Sequence, residues 1–550
     1  MKLNNNSQKI TILFLSAFVI LMLGNNFMAL TNPDEVFYAG TAKEMAQQHT
    51  WSVPYLFGKP QFEKPILTYW LLRFGFIIFG VSSFTARFFP ALFAIFGILA
   101  VYFLCGVVFG NKAKAFLCAL VLMLSVFYIG MARSVFTDMI FSVFILFSLI
   151  SFYLAYHDRR WKNSGIILFF VFSALAVLTK GPLGLIIPLS VAVAFLAIKR
   201  EANSFLSRYL LLGVASFLII AVPWYWFIIS HFGDNFIKEF FYNDHIRRLL
   251  VAEHRRNDTW YFYPVSMILC MFPWCIFLIA SGVSLLKKLW QRKASSLHFF
   301  LFCWVAVVFV IFQAAHSKLI NYILPLFPAL AIITGDYIYE TAFTAKRKFK
   351  AISIGTLLAF LLFPIGLIVA SYKYPMYVSG RAPLYIFFAI FFAAIIIEIN
   401  IIRKKPLVLP HAAVFNIMIL LLFIFSYHSR FEEYVSSERS GEYLKKICRP
   451  DSIILCSKSL ARGIRFYTGN EIAIFRNGKG NFFSPHPIPF LSTDEEVKNF
   501  LARQPVTYGV LDKSSLANIN RIIGDRFKYS LLNNFGGEYI IVIRAGQHRQ

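Results

Sequence analysis

The sequence predicts a polytopic α-helical membrane protein that carries a small soluble α/β domain at its C-terminus. Three observations lead there. The 550-residue chain is 58% hydrophobic and only 15% charged, whereas a soluble domain is nearer half apolar and a quarter charged. Apolar stretches of about 20 residues, each long enough to cross a bilayer, recur through most of the chain. After Tyr427 the composition changes, and short β-branched runs alternate with amphipathic segments as a soluble core requires. The expected division is residues 1–428 for the membrane part and 429–550 for the soluble domain.

About thirteen spans are expected from length and hydropathy: near 10–30, 87–109, 115–132, 135–156, 164–179, 181–198, 208–230, 262–286, 298–315, 319–340, 351–371, 384–402 and 408–428. The first follows Lys2 and Lys9 and resembles a signal peptide. Gly24-Asn25-Asn26-Phe27 is a poor cleavage site, so it reads as a retained span. Basic clusters fall at every second junction, among them Arg159/Arg160/Lys162, Lys287/Lys288 and Lys346/Arg347/Lys348. Cytoplasmic loops accumulate lysine and arginine, so these junctions lie inside. The outward segments are then 31–86, 131–138, the turn at Lys180, 231–261, 316–318, 372–383 and the C-terminal domain. This dispersal accounts for much of the +27 formal charge and argues against a nucleic-acid partner, which would gather the charge on one face.

In the soluble domain SERSGEYLKKICRP and DEEVKNFLARQ read as helices, while DSIILCSK, EIAIFRNG, VTYGVLD and YIIVIRAG read as strands. Gly536-Gly537 before the last strand is a hairpin signal, and no glycine loop of the phosphate-cradling kind is present. Cys105, Cys118, Cys270, Cys275 and Cys303 sit in or beside spans, where cysteine behaves as a small hydrophobe. Cys448 and Cys456 lie in the outward domain, where oxidising conditions make a bridge between them a candidate.

The outward segments carry charges where a membrane protein should least want them. Asp34 and Glu35 stand at the mouth of the first span, and Glu63 and Lys64 precede Pro65 on the same loop. Arg133 and Asp138 follow the third span, and LTKGPLG places Lys180 at the end of the fifth. FFYNDHIRRLLVAEHRR supplies Asp244, His245, Arg247, Arg248 and His254, and HSKLINY supplies Lys318 and Tyr322. Ionisable groups at the edge of the hydrocarbon layer are costly and usually face a protein cavity, which makes them functional candidates. Several cations with a few carboxylates at lipid depth suit a phosphorylated lipid, held by charge-assisted hydrogen bonds. Blander roles compete: Lys180 and Lys318 as snorkelling side chains, His254 as a solvated loop residue, Glu63 and Lys64 as a mere ion pair, Asp34 and Glu35 as acids at a helix start.

PDEVFYAG, WSVPYLFGKPQFEKPILTYW, GVSSFTARFFPALF, LTKGPLG, PWYW, NDHIRRL and KLINYILPLFPALA occur in that order. This ordered set resembles the polyprenol-phosphate-dependent glycosyltransferases of the C-type membrane fold (the superfamily of the dolichyl-phosphate-mannose–protein mannosyltransferases). Within it the chain is most similar to the aminoarabinose transferases that modify lipid A. The resemblance covers residues 10–340, and the outer domain fits in position and size. It implies an inner-membrane enzyme of a bacterium whose active site faces the periplasm, with an undecaprenyl-phosphate-linked sugar as donor and lipid A or another glycolipid as acceptor. It also implies site roles: Asp34 and Asp138 as the acids, Lys64 and Tyr322 at the carrier-lipid phosphate, and Lys180 with Arg247 or Arg248 as cavity cations. The residues themselves add Glu35 to the catalytic acids and Lys180, Arg247, Arg248 and Lys318 to the donor-phosphate candidates. Glu63 and His245 match a pair associated with a divalent metal, zinc or magnesium. One departure stands out, because the family often has arginine two residues after the acidic pair and this chain has Phe37. Arg87, Arg133 or an arginine within 247–256 are the expected replacements.

Two other classes fit the same chain. A related transferase acting on a protein or another glycan, with a sugar such as galactosamine or mannose, would keep the donor site and change the acceptor groove. A lipid-linked sugar flippase would also be polytopic, but such transporters are built from internal repeats with charges at the midplane. No repeat is seen here, and the charges lie at the outer rim.

Overall fold

A computed structural model describes residues 6–201, 207–253, 255–373, 381–405, 409–475, 490–524 and 527–545. The chain is a helical membrane protein with a C-terminal mixed sheet. Among the described residues eight helices are long and apolar enough to cross a membrane, and two further candidates are bent pairs. Thr137–His157 is the central helix, buried along nearly its whole length. His254 and most of the 372–383 segment lie outside the described residues.

The two bent pairs fall where continuous spans were expected. Lys112–Met123 and Val126–Ala132 meet at 66°, and Phe262–Cys270 and Cys275–Trp290 meet at 117°. The physical reason is local. Pro273 has no N–H to continue a helix, and the Ser125 hydroxyl turns back onto the Val121 carbonyl at 2.7 Å. The two breaks then satisfy one another, because the Val126 N–H donates to the Phe272 carbonyl at 2.9 Å.

Two outward segments expected as loops are folded. Residues 31–86 form a helix, Asp34–Gln47, a two-stranded hairpin of β1 (Tyr55–Leu56) and β2 (Lys59–Pro60), and an apolar helix, Leu67–Phe79. The 231–261 stretch is largely helical. Arg208–Phe236 bends at Gly233, whose φ of 46° favours glycine. It then widens into a π-helix, Ile237–Ile246, and ends in Arg247–Leu250. Phe236 and Phe240 stack 5.2 Å apart against Tyr225 in that wide turn, which presents Asp244 and His245 inward; single wide turns of this kind often mark functional sites.

The last apolar helix, Leu409–Val435, leads into a six-stranded sheet of order β5-β4-β3-β6-β8-β7. Its strands are β3 (Ile454–Ser457), β4 (Ile472–Phe475), β5 (Phe490–Leu491), β6 (Val506–Leu511), β7 (Phe527–Phe535) and β8 (Glu538–Ala545). The first four in sheet order are parallel, and β8 and β7 form an antiparallel hairpin across Gly536 and Gly537, which have φ of 55° and 91°. Helices cover both faces, so β3 and β4 are buried throughout, as parallel strands usually are. The sequence reading missed β5, β7 and the helices Lys458–Thr468 and Lys513–Ile523. Cys448 and Cys456 are free thiols.

The sheet domain is docked by Lys458–Thr468 against Asp34–Gln47. Lys43 donates to the Phe466 carbonyl at 2.6 Å, and Arg465 pairs with Glu44 at 3.2 Å. Phe466 joins the buried cluster of Val36, Phe37 and Leu56. Gly463 allows the close approach, since a Cβ there would lie 2.0 Å from Asn32 Oδ1. At the same seam Asn32 donates to Ser437 at 2.5 Å and Ser437 donates to Glu538 at 2.6 Å.

Burial pushes the Glu538 carboxyl up to about 7 from its ordinary 4.5. A folded pKa above the unfolded one means that folding takes up a proton between the two values. The contribution is therefore complete below about 4.5 and is lost as the pH rises through about 7, and a shift of this size corresponds to roughly 3 kcal/mol. Thermal stability of the purified protein should fall across this window, and Glu538→Gln should flatten the dependence. An unchanged slope in that variant would assign it to another group.

Candidate functional site

The site is built on the two folded segments 31–86 and 231–261 and the ends of the central helices. On the first loop, Gln61 is held by the Tyr69 hydroxyl at 2.8 Å and accepts from the Glu63 N–H at 3.0 Å. That bracing precedes Pro65 and aims Lys64 inward. Lys64 is 8% exposed, and its ammonium bonds the Glu63 carbonyl at 2.9 Å and pairs with Asp244 at 2.5 Å. Asp244 also pairs with Arg248 at 2.9 Å, and Arg248 donates to the Tyr322 hydroxyl at 3.3 Å. One carboxylate from the π-helix thus holds two cations from different segments beside a phenol.

Lys180 closes the next wall. It pairs with Asp138 at the start of the central helix and lies 4.6 Å from the centre of the Tyr322 ring. Gly181 follows it with φ of 95°, and a Cβ there would sit 2.7 Å from His245 Nε2 and 2.8 Å from the Phe240 ring. Glycine is what lets this turn pack against the π-helix. His245 Nδ1 donates to the Phe240 carbonyl at 2.7 Å.

The neighbouring acids Asp34 and Glu35 differ in surroundings. Glu35 is 2% exposed and takes two bonds from Arg87, at 2.6 and 2.9 Å, and others from the Thr31 and Val135 N–H groups. Burial pushes its carboxyl up, but the Arg87 guanidinium and these donors outweigh that and hold it below the usual range. Its oxygens are committed to joining the first loop to the turn before the central helix, which argues for a positioning role over the catalytic one expected. Asp34 is accessible at the first turn of its helix, yet it stands in a recess. Enclosure there raises its pKa, with the Arg462 charge opposing and the Asp138 and Glu253 charges adding to the rise.

Glu63 and His245 form no larger donor cluster. Glu63 is 3.4 Å from Arg462, and among the described residues no group of three His, Cys, Asp or Glu side chains is placed to share a metal ion. A catalytic zinc site normally has three protein ligands. The two residues would hold a divalent ion only with substrate phosphate or water completing its shell.

Lys318 is engaged in an ion pair with Asp258 at 2.7 Å, next to Ser317, whose N–H donates to the Arg248 carbonyl at 3.0 Å. Arg247 sits half-buried beside Arg248 on the short helix. Of the expected replacements for the arginine absent at Phe37, Arg87 is committed to Glu35 and to three carbonyls, and Arg133 donates to the Ile20 carbonyl at 2.8 Å. The guanidinium that does lie over the Phe37 ring, 4.3 Å from its centre, belongs to Arg462 of the sheet domain. The sequence reading missed Arg462, which meets Glu63 across 399 positions; its KSLARGIRFYT segment was not even read as a helix.

The chain is similar to several known proteins. Residues 63–227 match the family model described as dolichyl-phosphate-mannose-protein mannosyltransferase. The chain is similar to the undecaprenyl phosphate-alpha-4-amino-4-deoxy-L-arabinose arabinosyl transferase of Wigglesworthia glossinidia brevipalpis, 32% identical over 68% of this chain and 66% of that relative. A second such transferase, from Proteus mirabilis, is 30% identical over 64% and 63% of the two lengths. The matches thus span slightly less than two thirds of those two relatives. Among solved structures, ArnT from Cupriavidus metallidurans bound to undecaprenyl phosphate superposes with a TM-score of 0.78 over 99% of both chains at 18% identity. The fold is therefore the same from end to end.

Proposed function

We propose, from the chain's similarity to polyprenyl-phosphate-dependent membrane glycosyltransferases, that it moves an amino sugar from undecaprenyl phosphate to a phosphate of lipid A. The sugar on this reading is 4-amino-4-deoxy-L-arabinose, the one named for the matched relatives. The observation that carries it is the Lys64–Asp244–Arg248 group beside Tyr322. It places two cations and a hydroxyl donor together around one buried carboxylate.

In this mechanism the donor phosphate enters beside Lys64 and Arg248, and Asp244 holds both cations in place before the substrate arrives. As the bond from the anomeric carbon to the donor phosphate oxygen breaks, the electron pair stays on that oxygen. The preorganised cations stabilise the charge that develops on undecaprenyl phosphate, the leaving group. An oxygen of the acceptor phosphate forms the new bond to the anomeric carbon, giving a sugar phosphodiester. Lys180, paired with Asp138, supports Tyr322 from below. Mass spectrometry of lipid A from cells with and without the chain tests the reading: an added aminoarabinose mass that depends on it is expected, and an unchanged profile would overturn it. The mannosyltransferase match favours a second reading, transfer to a protein or another glycan, which the same cells would reveal as a changed glycoprotein or glycan. Glu63 and His245 as a zinc or magnesium pair belong to the proposal only in the presence of phosphate. Metal content of the purified protein should rise on adding undecaprenyl phosphate, and equal content without it would remove that part.

The proposal places the site and the 429–550 domain on the periplasmic side of a bacterial inner membrane. Single cysteines in a cysteine-free background test this. Ser437 is buried against Glu538 and Asn32, so the exposed Lys445 is the better outer probe. Lys445→Cys in intact spheroplasts should react with an impermeant thiol reagent, and Arg347→Cys should react only after permeabilisation. The reverse pattern would turn the cavity inward.

A further inference from the structure

We infer that Arg462, supplied by the sheet domain, binds the acceptor's phosphate and so makes that domain part of the active site; this rests on the transferase reading above. Its guanidinium lies over Phe37, 4.3 Å from the ring centre, and 3.4 Å from the Glu63 carboxylate. Phe37 is one helical turn from Asp34, so the arginine covers the wall of the recess that Asp34 lines. The Arg462 side chain is 12% exposed. It is partly stripped of water, stacked and oriented, the state in which an arginine fork binds phosphate in bidentate fashion.

The position of Arg462 is fixed by its helix. Gly463 packs on Asn32, Phe466 enters the cluster around Phe37, and Arg465 pairs with Glu44. These contacts hold Lys458–Thr468 on both sides of Arg462, so its reach into the recess is built into the docking. The pair with Glu63 is long at 3.4 Å, against 2.5 Å for Lys64 with Asp244.

Charge alternation assigns the two phosphates to two walls. Arg462 meets Glu63, Glu63 is followed by Lys64, and Lys64 shares Asp244 with Arg248. Two anionic substrates must approach within bonding distance of one anomeric carbon, and each needs its own cation to offset their repulsion. Lys64 and Arg248 stand with Tyr322, on the donor's side. Arg462 stands beside Glu63 and over Phe37, one helical turn from Asp34.

The test uses the full-length protein in lipid, with the undecaprenyl-phosphate sugar as donor and phosphorylated lipid A as acceptor. Arg462→Ala should raise the acceptor KM by about 10- to 100-fold, the range for a charge-assisted hydrogen bond, and leave the donor KM within about threefold. Arg462→Lys should recover part of the loss, since it keeps the charge without the fork. Arg465→Ala, which loosens the docking on the same helix but removes no cation from beside Glu63, should raise the acceptor KM much less than Arg462→Ala does. The inference is overturned if Arg462→Ala leaves the acceptor KM unchanged, if it raises the donor KM instead, or if Arg465→Ala has the same effect, which would mean that only docking was lost. Failure of the underlying reading looks different, because then the unmutated protein forms no sugar–lipid A product.

Discussion

Lys64→Ala is expected to abolish or nearly abolish transfer while leaving a folded, membrane-inserted protein. Lys64 is 8% exposed and its ammonium pairs with Asp244 at 2.5 Å, so it is oriented before any donor binds. Losing a charge-assisted bond to the donor phosphate removes roughly 1.5–3 kcal/mol, which alone is about 10- to 150-fold in rate. The variant also frees one oxygen of Asp244, a buried carboxylate, and leaves it facing the donor phosphate as a repelling charge. Both effects oppose the transition state, so the combined loss should exceed either. The fold should survive, because Arg248 still pairs with Asp244 at 2.9 Å. Lys64→Arg should rescue little: the planar fork does not fit where a compact ammonium bonds both the Glu63 carbonyl and Asp244. Adding Asp244→Asn to Lys64→Ala should return part of the lost donor affinity by removing the unpaired charge. Single-turnover rates and donor binding for the three variants decide the matter, and turnover of Lys64→Ala within about threefold of the unmutated protein would reduce the Lys64–Asp244 pair to a structural tie.

How much of this was legible in the sequence depends on the distance over which each contact acts. The membrane class was legible because span length and composition are local properties. Lys64, Asp34, Asp138 and Lys180 were legible as candidates because a charge at the edge of a hydrocarbon layer is conspicuous wherever its partner lies. The difference between Asp34 and Glu35 was not. Successive residues of a helix point about 100° apart, so adjacent acids at one helix start face different surroundings: Glu35 meets Arg87, 52 positions on, and Asp34 meets open recess. The hub at Asp244 depends on a contact 180 residues back to Lys64, and on a π-turn that periodicity does not announce. Arg462 was the hardest, since its segment is an ordinary amphipathic helix of a soluble domain. Only docking gives it a second function, and the small residue next to it, Gly463, is the one local sign of that close approach.

Asp34→Asn separates the two chemistries open to the acceptor. An acceptor hydroxyl must lose a proton as it attacks, and a general base typically contributes about 100- to 10,000-fold. An acceptor phosphate is already anionic near neutral pH, its second pKa being about 6, and needs no base. In that case Asp34 shapes the field around the incoming anion together with Arg462, whose charge it feels. Asparagine keeps the shape and hydrogen-bonding capacity but carries no charge and takes no proton. Asp34→Asn is therefore expected to keep measurable activity when the product is a phosphodiester on lipid A, and to be nearly dead when it is a glycoside. The pH profile gives an independent reading. Enclosure raises the Asp34 pKa above its ordinary 3.8, so a rate that needs ionised Asp34 falls as the pH drops through that raised value. Asp34→Asn would erase that limb. With a phosphate acceptor the acid limb instead follows ionisation of the acceptor and persists in the variant. Product linkage by mass spectrometry, with single-turnover rates in a variant shown to bind donor, tests both halves. A phosphodiester product accompanied by a loss beyond about 10,000-fold would show that Asp34 does more than position an anion, and the phosphate-acceptor mechanism would have to be abandoned.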